Sequence, residues 1–185
     1  MAKKRSSFDK RIVISGVLSA LSFIVLYIGQ FLGDLDLTVS AIASLFLIII
    51  VIEMGYRYAW MTYLATSILA ILLLPMPKTA AAFYALSMGF YPMIKSYIER
   101  IKYAALRWIC KLAVGNGAIL MLLLFLKLAE DWGWIPKDVM PTWLLIVTYA
   151  LGILAYIMYD IALTKLITLY FRKIRDRIKI YKYLK

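Results

Sequence analysis

Six long apolar runs follow one another along the chain, separated by short polar breaks. They span residues 12–32, 37–52, 58–74, 79–94, 112–126 and 143–163. The first and last have the roughly 20 residues that a helix needs to cross a bilayer. The middle four are shorter, about 22–26 Å as helices, and aromatic or snorkelling side chains can extend them. The pattern predicts an all-α transmembrane bundle of about six spans. Four spans with re-entrant segments are the alternative.

The breaks between the runs carry residues that end helices. Pro75 and Pro77 flank Met76 after the third run, and proline removes a backbone donor and fixes φ, which stops a helix. The longest break, residues 130–141, contains Trp132 and Trp134 together with acidic residues. This composition indicates a structured cap at the lipid interface.

Composition agrees with a bilayer environment. Apolar residues make up 64% of the chain and charged residues 17%, whereas soluble domains are nearer half apolar and a quarter charged. A chain of this kind has too little polar surface to cover itself in water. We therefore predict a multi-pass protein of the cell membrane, in contact with membrane lipid.

The basic residues predict how the chain is oriented. If the N-terminus is cytoplasmic and the chain crosses six times, all but three of the 22 Lys and Arg residues lie inside, and the exceptions are Lys78, Lys127 and Lys137. This asymmetry is the positive-inside rule, and it predicts both termini in the cytoplasm. The predicted organisation is a basic cytoplasmic tail at 1–11, a six-helix membrane domain at 12–171 and a basic amphipathic cytoplasmic tail at 172–185.

Residues that carry enzyme chemistry are scarce. The chain has no histidine, and its single cysteine, Cys110, lies at the start of an apolar run, where a buried structural role is usual. It has none of the motifs GxxxxGK[ST], HExxH, CxxC or GxSxG. The net charge of +12 flanks apolar runs and does not form a nucleic-acid-binding face. We predict a non-enzymatic protein with no metal, no cofactor and no nucleic-acid partner.

Polar residues within the runs are the candidates for function, because a polar group in hydrocarbon faces a partner or a cavity. Asn116 lies between Gly115 and Gly117 and is either a ligand contact or an interhelical hydrogen bond. Asp160 lies near the cytoplasmic end of the last run, where snorkelling or pairing with Lys165 or a mid-chain arginine is the favoured interpretation.

Two further features concern the ends and faces of helices. Gln30 and Asp34, at the outer end of the first run, either line an external vestibule or form an ordinary hydrophilic helix end. Within the same run, small side chains recur four residues apart and invite close packing by a helix of this chain or of a partner. These small residues are Ser15, Gly16, Ser19 and Ala20.

Two segments are predicted to be amphipathic rather than spanning. One stripe runs from Ile94 to Leu112, with Lys95 and Glu99 among the charged residues that lie largely off it. Another runs from Ile167 to Tyr181 between basic residues. Helices resting on an anionic leaflet are the simpler interpretation. Docking surfaces for a cytoplasmic partner are the alternative.

The layout resembles the substrate-binding S components of energy-coupling factor transporters. The stretch ISGVLSALSFIVL and the acidic LDL before the second run resemble that family's opening. In that family an AxxxA-type motif in the first helix packs on the transmembrane coupling protein, and the matching positions here are Gly16 and Ala20. The resemblance implies coupling-protein and ATPase partners and a small vitamin-like substrate bound at the outer face.

The same resemblance points to particular ligand-binding residues. In that family the substrate lies under the first loop and among the last three helices, which corresponds here to Gln30, Asp34, Asn116, Trp132 and Trp134. These residues include few charge pairs, which favours a neutral or aromatic ligand, or no ligand, over a phosphorylated one.

A scaffold is the rival hypothesis. The rod-shape-determining D family also consists of small six-span proteins, and the basic amphipathic tail would suit such a scaffold. That family typically has Pro-Asp at the start of an early span, where this sequence has Leu35-Asp36. The two hypotheses make different predictions for the outer half of the bundle. An S component needs a pocket there, whereas a scaffold should have a filled core.

Overall fold

A computed structural model describes residues 2–32, 35–75, 78–131 and 142–174. Over these ranges the chain is helical and contains no strand, which confirms the predicted all-α class. The seven α-helices are α1 (Ala2–Gly29), α2 (Asp36–Glu53), α3 (Tyr56–Leu73), α4 (Thr79–Phe83), α5 (Tyr91–Ile98), α6 (Ala104–Asp131) and α7 (Thr142–Leu169). A 3₁₀ turn (Gln30–Leu32) follows α1, and π-helical turns follow α4 (Tyr84–Met88) and α7 (Tyr170–Ile174).

Four segments of the described chain are long and apolar enough to cross a membrane by length and composition. They are Lys10–Leu32, Asp36–Glu53, Ala104–Leu128 and Ile146–Lys173. The first helix begins at Ala2, so the predicted basic tail continues into the first apolar run as helix. The third run forms α3, whose first turns carry Arg57 among aromatic residues. Six spans remain a prediction.

The fourth apolar run is divided among α4, a π-helical turn and α5 and is not one regular α-helix. The π-helical turn after α4 is closed by a 2.8 Å bond from the Gly89 amide to the Tyr84 carbonyl, and α5 begins with Pro92 in its first turn. A Cβ at Gly89 would lie 2.7 Å from the Tyr84 oxygen and 3.0 Å from the Tyr63 ring. Glycine is therefore required at position 89, where the π-helical turn ends beside α3.

The first three helices pack closely around small polar side chains. The Ser22 hydroxyl donates to the Ala43 carbonyl at 3.1 Å, and Ser19 and Thr66 share a 2.8 Å hydrogen bond. Near the other end of the hairpin, Gly29 lies directly against Val39, where no Cβ would fit. Small side chains let helix backbones approach one another, so this face of α1 is used within the chain.

The helices alternate in direction, which places two distinct ends on the bundle. Met54 contacts Ser15 (Oγ to Sδ, 3.3 Å), and Glu53 accepts a hydrogen bond from Tyr170 at 3.1 Å. These contacts place the middle of α1 and the π-helical turn after α7 beside the end of α2, from which the chain turns directly into α3. We call this the basic end, because Arg57, Arg100 and Arg172 lie there.

The predicted amphipathic helix from Ile94 onward is broken. Helix α5 ends at Ile98 and α6 begins at Ala104. One member of the expected polar face does not lie on the surface: Lys95 is 1% exposed and points into the bundle, whereas Glu99 and Lys102 are exposed. The reason is tertiary, because buried carboxylate and hydroxyl groups on α7 bind the ammonium group there. The second predicted stripe extends past Ile174, and its end at 175–185 lies outside the described residues.

Candidate functional site

An ion pair lies inside the bundle between α5 and α7. The Lys95 ammonium group contacts the Asp160 carboxylate and is 3.0 Å from the Asp160 backbone carbonyl oxygen. The two side chains are only 1% and 6% exposed. Taking two charges out of water is costly, and the pair survives because each charge has close, well-placed partners.

Two further charges complete what we call the ion cluster, Lys95, Glu99, Lys111 and Asp160. Lys111 on α6 lies 2.8 Å from the second Asp160 oxygen and 3.7 Å from Glu99, and Lys95 lies 3.1 Å from Glu99. Two ammonium groups therefore face two carboxylates, and the cluster has no net charge. Glu99 is the most exposed member, at 37%.

Neutral side chains satisfy the remaining hydrogen-bonding capacity of the ion cluster. Tyr91 donates from its hydroxyl to Asp160 Oδ1 at 2.6 Å. Thr164 accepts from Lys95 at 2.8 Å and donates to the Asp160 carbonyl oxygen at 2.9 Å. Nearby, Tyr159 bonds to Ser44 and donates to the Met88 carbonyl at 3.2 Å. Buried polar networks are stable when each member has its partners. The ion cluster joins α5, α6 and α7, and the separate Tyr159–Ser44 bond ties α7 to α2.

The sequence prediction for Asp160 was right about the mid-chain segment and wrong about the partner. Arginine or Lys165 was expected, with the carboxylate close to the membrane surface. The structure instead gives Asp160 two lysines, Lys95 and Lys111, at a buried position. The spacing of Lys95 and Glu99 at i and i+4 was the one signal in the sequence, but it is equally typical of an exposed helix face.

A cavity of about 420 Å³ lies toward the end of the bundle opposite the basic end. It is bounded by α2, the π-helical turn after α4, α6 and α7. Its walls are almost entirely apolar and include Leu37, Met88, Ile119, Leu123, Leu126 and Leu151. Ser87, Thr148 and Tyr156 contribute the hydroxyl groups of the lining. Its volume lies within the roughly 300–1,000 Å³ typical of ligand pockets.

Tyrosine rings connect the cavity to the ion cluster. Tyr156 lines the cavity, and its ring packs edge-on against that of Tyr91 with centroids 4.7 Å apart. Tyr91 in turn donates to Asp160, one helical turn from Tyr156 on α7. The packing of Tyr91 against Tyr156 therefore links one wall of the cavity to the ion cluster.

The small residues of α1 divide between two faces. Ser15 and Ser19 are buried against α2 and α3, so their packing partners belong to this chain. Gly16 and Ala20 face outward, and a Cβ added at Gly16 would meet nothing within 4 Å. The pair that matches the AxxxA-type motif is thus available on the outside of the bundle.

Asn116 forms the interhelical hydrogen bond that was one of its two predicted roles. The Tyr149 hydroxyl on α7 donates to its Oδ1 at 2.7 Å. Asn116 is not among the residues that line the described cavity.

We expect Asn116→Ala to lower the free energy of unfolding by about 0.6 kcal/mol, the average for such bonds in membrane helices. Detergent-induced unfolding of the two proteins would measure it, and a loss several times larger would contradict this role.

The other predicted ligand residues are not brought together by the described structure. Gln30 lies in the 3₁₀ turn that ends α1 and is not part of the cavity lining. Asp34, Trp132 and Trp134 lie outside the described residues.

An aromatic cluster at the basic end was not predicted. The rings of Tyr56 and Tyr97 stack with centroids 4.3 Å apart, and Arg100 lies over both rings. Arg100 also donates to the Tyr56 hydroxyl at 3.0 Å, and Tyr56 bonds to Ser96. This arrangement ties the start of α3 to the break between α5 and α6. The pairing depends on residues about 40 positions apart, which no local pattern reveals.

Over the described residues, the fold and the ion cluster define a class: an all-helical arrangement with four apolar segments of membrane-crossing length and a buried, charge-balanced centre. Comparisons with protein-family models, with curated proteins and with solved structures found no match to this chain.

Proposed function

We propose that this chain is a membrane-embedded, non-enzymatic binding subunit of the S-component kind, which captures a small molecule for uptake. The observation that carries the proposal is the cavity of about 420 Å³ away from the basic end. The positive-inside rule assigns the basic end to the cytoplasm, so the cavity belongs to the outer half of the bundle.

The outward face of α1 supports the second part of the proposal, docking on a transmembrane coupling protein. Gly16 and Ala20 leave a shallow region beside exposed Val13 and Val17. A helix of a partner can approach the α1 backbone closely there, because no side chain beyond a methyl group separates the two. ATPase subunits would then join through that coupling protein, since this chain has no phosphate-binding loop of the GxxxxGK[ST] type.

Co-purification of the full chain tests whether it docks on a coupling protein. The tagged protein is isolated in mild detergent from its own cells, and the co-eluting proteins are identified by mass spectrometry. We expect a coupling protein with ATPase subunits, and Gly16→Leu combined with Ala20→Leu lowers their recovery by at least about tenfold, because leucines hold the helices apart. Gly117→Leu is the matched control, since a Cβ there also meets nothing within 4 Å.

The same purification tests whether the chain binds a small molecule. A small molecule retained in stoichiometric amount supports the proposal, and its mass identifies it. The rival is a scaffold of the rod-shape-determining D type. Recovery of cell-wall or cytoskeletal proteins, with no retained small molecule and no ATPase, would contradict the binding-subunit proposal and support the scaffold.

A further inference from the structure

A smaller cleft of about 320 Å³ lies at the basic end, bounded by α2, α5 and α7. Two segments of membrane-crossing length end beside it, at Glu53 and Lys173. The polar part of its lining includes Tyr56, Ser96 and Arg100. The apolar part comes mainly from the last turns of those two segments and consists of Ile48, Val51, Ile52, Pro92, Ile167 and Phe171. The cleft therefore joins an apolar wall to a polar rim at the level where the segments end.

Arg100 gives this rim an oriented positive charge. Its guanidinium carbon lies 5.2 Å from the centroid of the Tyr56 ring and 5.6 Å from that of Tyr97. Within the described residues the guanidinium donates to the Tyr56 hydroxyl alone, at 3.0 Å. Arginine carries several N–H donors in a rigid planar fork, so most of them remain for a ligand. The two rings restrict how that fork can turn.

The acidic residues near the cleft do not cancel this charge. Glu99 also lines the cleft, but it faces the two lysines of the ion cluster at 3.1 and 3.7 Å. Glu53 accepts a hydrogen bond from Tyr170 at 3.1 Å. Arg57 and Arg172 are exposed and lie next in the chain to residues of the cleft. The rim is therefore positive and suits an anion.

We infer that this cleft binds an anionic phospholipid, with its phosphate on Arg100 and an acyl chain along the apolar wall. A guanidinium fork matches two oxygens of a phosphate. The apolar wall would contribute nothing to binding a free phosphate, whereas it suits a lipid chain. The positive-inside rule assigns the basic end to the cytoplasm, where the leaflet is rich in anionic lipid. This inference goes beyond the proposed function and does not depend on what the larger cavity holds.

Native mass spectrometry of the full chain, stripped of lipid in mild detergent, tests the lipid class. Dioleoylphosphatidylglycerol and dioleoylphosphatidylcholine are titrated separately, because they share their acyl chains and differ in headgroup. We expect the first phosphatidylglycerol to bind saturably and at least about tenfold more tightly, since choline neutralises the phosphate within the lipid itself. Glycerol phosphate in about hundredfold excess is expected not to displace it, because it lacks the acyl chains.

Two pairs of matched variants assign the binding to the cleft. Arg100→Gln is expected to weaken phosphatidylglycerol about tenfold, whereas Arg57→Gln removes the same charge from an exposed position and should stay within about threefold. Ile52→Trp leaves Arg100 in place and adds bulk to the apolar wall, so we expect at least about a tenfold loss. Ile42→Trp retains binding, because Ile42 is 44% exposed on the same helix outside the described lining of the cleft.

Each contrary result overturns the inference in its own way. Equal affinity for the two lipids would exclude a site for anionic lipid, and displacement by glycerol phosphate would indicate a soluble phosphate ligand. Equal losses in Arg100→Gln and Arg57→Gln, or full binding in Ile52→Trp, would indicate diffuse attraction to the basic end. Loss of a co-purifying protein in Arg100→Gln, with lipid binding unchanged, would make the cleft a protein interface. The proposed function is judged separately, by the ATPase partner and the retained small molecule.

Discussion

Asp160→Asn is expected to destabilise the protein by about 3–5 kcal/mol, the cost of removing one partner from a buried ion pair. Asn keeps the shape and can still accept from Tyr91. The buried Lys95 and the partly buried Lys111 would then face only the partly exposed Glu99 as a charged partner. Unfolding in mixed detergent micelles, followed by circular dichroism, measures the change.

Glu99→Gln is the matched control for this prediction. It makes the same chemical change at the cluster member that is 37% exposed, so we expect a loss below about 1 kcal/mol. The double variant Lys95→Met with Asp160→Asn should cost about 1–3 kcal/mol less than the two single changes added together, because it removes both charges of one pair. Equal losses at Asp160 and Glu99 would show that the ion cluster is not a stabilising centre.

Gly115→Ala is expected to destabilise the protein by about 1–3 kcal/mol, the usual cost of overpacking. A Cβ at this position would lie 2.5 Å from the Tyr156 ring, which cannot retreat freely because it packs against Tyr91. Since Tyr91 also bonds to Asp160, a shift of the rings disturbs the ion cluster. Thermal unfolding in detergent measures the loss.

Gly117→Ala provides the comparison, because it lies two residues away on the same helix and its Cβ meets nothing within 4 Å. We expect it to be neutral or slightly stabilising, since alanine favours the helix over glycine. Combining Gly115→Ala with Tyr156→Ala should relieve the clash, so the double variant loses less than the sum. If both glycines tolerate alanine equally, the close approach of α6 and α7 at Tyr156 does not limit stability.

The positions of helices along this sequence were predictable, whereas the side of each helix that faces the core was not. The apolar runs at 37–52 and 58–74 and the proline break before α4 predicted α2 and α3 closely, because length, hydropathy and proline act locally. The run at 79–94 is instead divided among α4, a π-helical turn and α5. In a membrane helix, however, residues toward lipid and residues toward the core are both apolar. The periodicity of apolar residues therefore says little about which side of a helix faces the core. Only the packing shows that Gly16 faces outward and Ser15 inward.

The candidate site shows the same division. Asn116 and Asp160 were recognisable as polar groups in apolar runs, and Asn116 makes the interhelical bond that was one of its alternatives. Lys95 was assigned to a polar surface, because a lysine beside Glu99 on a short helix looks exposed. Its pairing with Asp160 joins residues 65 positions apart.

The sequence by itself determined that the described residues are helical and that four of their segments are apolar enough for a bilayer. The collection of its positive charges on one side of a membrane stays a prediction. Those properties depend on composition and on short windows of residues. Only the tertiary structure decided that Lys95 and Lys111 meet Asp160, that a cavity lies among α2, α6 and α7, and that Tyr156 forms its floor. These depend on how each helix is rotated against its neighbours, which is set by packing between residues far apart in the chain.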